Sequence, residues 1–136
     1  MKYMLIMNTP RDGYAQYMKW PRKLLEANAV FMQAFTKKLK EAGELVAAEG
    51  LGSPDQAKLV RAGQDGKPIT DGVFPESKEF LAGYWIVDVE GEERALRIAA
   101  EASTAPGQSV TRSDGSTIDH LWIEVRQVMG SHEDVE

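Results

Sequence analysis

The sequence predicts an α+β domain of ferredoxin-like βαββαβ order with one extra short strand, an antiparallel sheet carrying its helices on one face. Three observations lead there. Apolar residues recur at helical spacing in two segments, Arg22 to Ala42 and Glu92 to Ala102. Apolar runs bounded by Gly, Pro, Asn and Asp fall before, between and after those helices. The run from Leu81 to Val89 is apolar on both faces, so it belongs in a sheet covered on both sides.

Residues 2–8 read as the first strand, ended by Asn8-Thr9-Pro10. Residues 9–21 read as a loop, because Pro10, Asp12-Gly13 and Pro21 interrupt any period. The loop nevertheless holds Tyr14, Tyr17, Met18 and Trp20, side chains large enough to pack down as a cover. In the first helix Leu24, Phe31, Phe35, Leu39 and Ala42 share a stripe, and Gly43 is placed to end it in a left-handed cap. Glu44 to Glu49 is the second strand and Lys58 to Ala62 a short third one. The stretch from Gly63 to Lys78 reads as turn and loop, anchored by Phe74 and by Phe80 beyond it.

On the 81–89 strand Leu81, Gly83, Trp85, Val87 and Val89 point one way and Ala82, Tyr84, Ile86 and Asp88 the other. The second helix buries Ala95, Ile98, Ala99 and Ala102, and Glu92 and Glu93 favour its positive end. Residues 107–119 read as a flexible polar loop. In the last strand, His120 to Val128, Leu121, Ile123 and Val125 oppose His120, Trp122, Glu124 and Arg126.

The chain has 136 residues, enough for one core, which we expect over 1–128, with 129–136 an acidic, frayed tail. The net charge of −5 owes three units to that tail. With no cysteine, disulfides, iron–sulfur clusters, thiolate zinc and a cysteine nucleophile are excluded. Two histidines cannot supply a three-histidine metal site, and no cofactor or metal is expected. The bases between Arg11 and Glu44 read as a solvated helix face, so no nucleic-acid partner is expected. Neither a secretory signal nor a membrane span is legible, and the expected location is the cytoplasm.

Two helices cover only one face of a sheet whose 81–89 strand is apolar on both. A second copy of the same sheet is the simplest cover, so a homodimer through sheet faces is expected.

Several segments then resemble a known family. They are Ala42-Gly43-Glu44-Leu45, Glu49-Gly50-Leu51, Leu59-Val60-Arg61, Thr70 to Glu79, Gly83 to Val89 and Ile123-Glu124-Val125-Arg126. Over residues 2–128 the chain resembles the YCII-related proteins, and in the Thr70–Glu79 loop their DGPF-type branch. Val73 stands where that branch usually has proline, while Asp71, Gly72 and Phe74 match. The resemblance implies a subunit of the dimeric α/β-barrel group, which includes enzymes and plain ligand binders. It also implies, for some members, an enzymatic role through a His–Asp pair, and for the DGPF-type branch a link with sigma-factor-like regulators.

His120 is the one histidine expected inside ordered structure and the candidate proton carrier; His132 lies in the tail. Asp71 could orient it or take a substrate proton, or could simply cap its own Asp-Gly turn. Arg61, Glu124 and Arg126 would either wall an anion site or pair as structural ion bridges. Tyr84 and Trp20 are the candidate aromatic walls of a ligand site. The leading expectation is a homodimer binding a small aromatic or carboxylated molecule, with metal-free acid/base chemistry by His120 and Asp71 if it is an enzyme. The alternative is a non-catalytic regulatory module linked to transcription. A cavity near His120 and Asp71 separates the two.

Overall fold

The structure is a computed structural model that describes residues 1–72, 79–107, 110–111, 114–118 and 120–130. Four strands form an antiparallel sheet in the order β2-β5-β1-β8: β1 (Lys2–Pro10), β2 (Leu45–Gly50), β5 (Glu79–Asp88) and β8 (Ile123–Gln127). Helix α2 (Arg22–Glu41) joins β1 to β2 across β5, and α3 (Glu92–Ala102) joins β5 to β8 across β1. Each crossover skips one strand. Right-handed crossovers of this kind put both helices on the same face, which gives the ferredoxin-like arrangement expected from the sequence.

Alternation decides which face is covered. Tyr3 and Leu5 on β1 sit opposite Val87 and Trp85 on β5, and these four are buried beneath the helices. From α2 come Phe35 and Leu39; from α3 come Ala95, Ile98, Ala99 and Ala102. The alanines let α3 approach the sheet closely, whereas α2 stands off on aromatic side chains. Phe35 meets Trp85 edge-on at 5.8 Å and stacks with Phe31 at 5.9 Å. Each fully buried Leu or Ile contributes about 1.5–3 kcal/mol. Gly43 ends α2 at φ +72°, and Glu44 N–H donates back to the Leu39 carbonyl as a left-handed cap requires.

Four departures from the expected elements have local causes. A short helix, α1 (Gly13–Met18), stands where breakers suggested only loop, because Pro10 and Pro21 flank it and do not enter it. The Lys58–Ala62 strand is Leu59–Ala62 (β3), and it pairs with an unexpected β4 (Pro68–Asp71). Gly66 at φ +80° makes the turn between them. Val110–Thr111 (β6) and Thr117–Ile118 (β7) form a small ladder inside the expected flexible loop. Finally, β8 begins at Ile123, so His120 precedes the strand.

The segment 73–78, which carries most of the family-like loop and Phe74, lies outside the described residues, as do 108–109, 112–113, 119 and the tail 131–136 with His132.

Candidate functional site

One end of the sandwich is hollow. Along the covered face of β5 the inward row runs Val87, Trp85, Gly83, and Gly83 leaves a gap in it. Gly83 is held to that size: a Cβ there would lie 2.9 Å from the Glu49 carbonyl oxygen and 3.4 Å from the Met7 methyl. Beyond it opens a cavity of about 510 Å³, within the range of small-molecule sites.

Four parts of the chain supply most of its walls, and Leu51, Gly52 and Pro54 after β2 supply another. The sheet supplies Met7, Gly83, Trp85 and Ile123. Helix α2 supplies Asn28, Met32 and Thr36, four residues apart and therefore on one face. The end of α3 and the chain after it supply Ala102 to Gly107 in part. The fourth wall is α1 with Trp20, where Tyr14 and Tyr17 lie 6.4 Å apart and Trp20 meets Tyr17 edge-on at 5.1 Å.

Close backbone approaches hold this cover down. Gly13 lies against the Thr9 side chain with no room for a Cβ, which seats α1 on the end of β1. At the other end the Trp20 ring rests on Gly107. Asn28 Nδ2 donates to the Pro106 carbonyl at 2.8 Å, tying α2 to the segment that carries Gly107.

The residues singled out from the sequence divide. Trp20 lines the cavity, and Tyr84 borders it from β5, at a strand position that alternates to the face away from the helices. Arg61, Asp71, His120, Glu124 and Arg126 do not contribute to its lining, and all five are exposed in the single chain. Asp71 Oδ1 accepts from Gly72 N–H at 2.8 Å, the turn-capping alternative. No hydrogen bond or ion pair joins Asp71 to His120 among the described residues. Glu124 and Arg126 lie two apart on β8, on the face away from the helices, with 3.8 Å between Oε2 and Nε. An exposed contact of that length contributes little.

Asn28, Met32 and Thr36 were not anticipated. Their spacing was available, but it sits beside the stronger core stripe of Phe31, Phe35 and Leu39. Among the described residues no cluster of three His, Asp or Glu side chains could hold a metal, and no helix is long and apolar enough to cross a membrane.

None of the curated proteins compared with the chain matches it. A family model, that of the YCII-related domain, matches residues 1–131. With nearly its whole length covered by that match, the chain belongs to the YCII-related domain family.

Proposed function

We propose that the chain is a small-molecule-binding protein and that its site is the cavity between the sheet and the helices. The observation that carries this reading is the cavity itself, an apolar hollow kept open by a glycine that cannot be enlarged and roofed by three aromatic side chains. Packed domains rarely leave such space unused, since interiors are otherwise close-packed.

Acid/base chemistry by His120 and Asp71 draws no support from the lining, so binding is the function proposed and catalysis is not. Membership of the DGPF-type branch, on Asp71, Gly72 and Phe74, and residence in the cytoplasm remain parts of the proposal.

A second observation favours homodimerisation through the sheet. Met4, Ile6 and Ile86 form an apolar group on the face the helices leave open, and Trp122, just before β8, is 82% exposed. A tryptophan so exposed is a common anchor of protein interfaces.

Crystals soaked with mixtures of small aromatic fragments test the site. Fragments are expected in the cavity, against Met7, Met32 and Trp20. Fragments bound repeatedly elsewhere, with this cavity empty at saturating concentration, would overturn the reading.

A further inference from the structure

We infer that the cavity takes a neutral, hydroxylated aromatic molecule of about two rings; this rests on the cavity being the ligand site. Size comes first. At about 30 Å³ for each water-sized atom, a hollow of about 510 Å³ accommodates on the order of seventeen non-hydrogen atoms.

Charge comes second. Among the described residues the lining includes no Lys, Arg, His or Asp. Its one carboxylate belongs to Glu49, an exposed residue on the edge strand β2. An anion entering this space would lose its hydration with no cation to replace it. A cation would need an open aromatic cage. Here Tyr17 and Trp20 are closed on each other edge-to-face at 5.1 Å, so they present a continuous wall instead.

Hydrogen-bonding groups come third: beside Thr9, Ser103 and the tyrosines of the lining, α2 presents two. The Asn28 amide gives one N–H to Pro106, leaving its second N–H and the acceptor Oδ1 with no partner among the described residues. The Thr36 hydroxyl, two turns further along the same face of α2, also has none. The two are about 12 Å apart along the helix, with Met32 between them. A flat apolar ring system against Met32, Met7 and the aromatic wall, with a hydroxyl donating to Asn28 Oδ1, uses all of these features but the Thr36 hydroxyl. Carbohydrates and nucleotides use few of them.

The three tryptophans make the test self-controlled. Trp20 and Trp85 line the cavity, and Trp122 does not. The ¹⁵N-labelled protein is titrated at pH 7 with 2-naphthol, 2-naphthoate and naphthylmethylammonium, which share one ring system and differ in charge. The 2-naphthol titration is expected to shift the indole signals of Trp20 and Trp85, leave Trp122 in place, and give a Kd at least tenfold below either charged analogue. Equal or tighter binding of a charged analogue, with the same two signals moving, would overturn the neutral class and leave the cavity as the site. Movement of neither Trp20 nor Trp85 with any of the three would overturn both.

Discussion

Arg94 holds Glu44 in a two-pronged grip, Nε donating to Oε2 at 2.9 Å and an Nη to Oε1 at 2.8 Å. Arg94 lies in the first turn of α3, and Glu44 sits between the cap of α2 and the start of β2. The pair therefore pins one helix to the corner made by the other. Parallel hydrogen bonds between guanidinium and carboxylate are stronger than a point contact. Glu44 is only 17% exposed, which limits screening by solvent.

Glu44→Gln should cost about 1 kcal/mol at neutral pH, a modest figure because Arg94 remains partly exposed. The hydrogen bonds from Arg94 lower the Glu44 pKa below its ordinary value, against a smaller opposing effect of burial. A carboxylate with a depressed folded-state pKa contributes stability above its unfolded pKa and loses it as pH falls through the folded one. The gap between wild type and Glu44→Gln should thus be full at pH 7, start to close near pH of about 4.3, and vanish at lower pH. Denaturant titrations at several pH values check this; a gap unchanged down to pH 3 refutes it.

Ile86→Arg is the matching test of the open sheet face. Ile86 lies opposite Met4 on the central pair of strands, away from the helices. Sedimentation should show a wild-type dimer at micromolar concentration and a variant at least tenfold weaker in association. Circular dichroism should be unchanged, because the side chain is not part of the core beneath the helices. A wild-type monomer would remove the dimer.

What the sequence revealed and what it hid follow from the range of the interactions involved. Alternation along β5 exposed the split between Trp85 and Val87 on one side and Ile86 on the other, because period-2 patterns are local. Strand β4 was hidden, since its pairing with β3 is seen only when Arg61 meets Ile69 across the turn. Trp20 was legible as a cover because large apolar side chains crowd a segment full of breakers. Asn28 was not: its role depends on Pro106, 78 residues away. His120 and Asp71 stand out in the sequence for what their side chains can do, and nothing local in the chain reports where such groups end up.

Asn28→Ala should cost about 1 kcal/mol, the usual net value of a hydrogen bond of this kind. For a domain of this size that corresponds to a melting temperature lower by roughly 3–5 °C. Amide hydrogen exchange should rise at Ala105 and Gly107 while the Phe35–Trp85 core stays protected. No change in exchange there would show that Asn28 does not tether the segment.

His120→Ala should leave the melting temperature within about 1 °C of wild type, as expected for an exposed side chain without a described partner. Binding of 2-naphthol should also be unchanged, because His120 does not contribute to the cavity lining. A tenfold loss of binding would return His120 to the site.

Gly107→Ala tests how the cavity is closed. A Cβ at Gly107 would lie 2.7 Å from the outer edge of the Trp20 ring and 3.2 Å from its next carbon. One of the two must move. The chain at Gly107 is tied through Pro106 to Asn28, whereas the indole is the free end of a side chain on a short segment, so the indole should yield. The variant should remain folded, with the Trp20 indole signal displaced, that of Trp85 little changed, and amide exchange faster over residues 13–18. Its affinity for 2-naphthol should fall several-fold, since the aromatic wall is no longer closed. An unmoved Trp20 signal would mean that the backbone has given way instead, and that Gly107 is not what seats the cover.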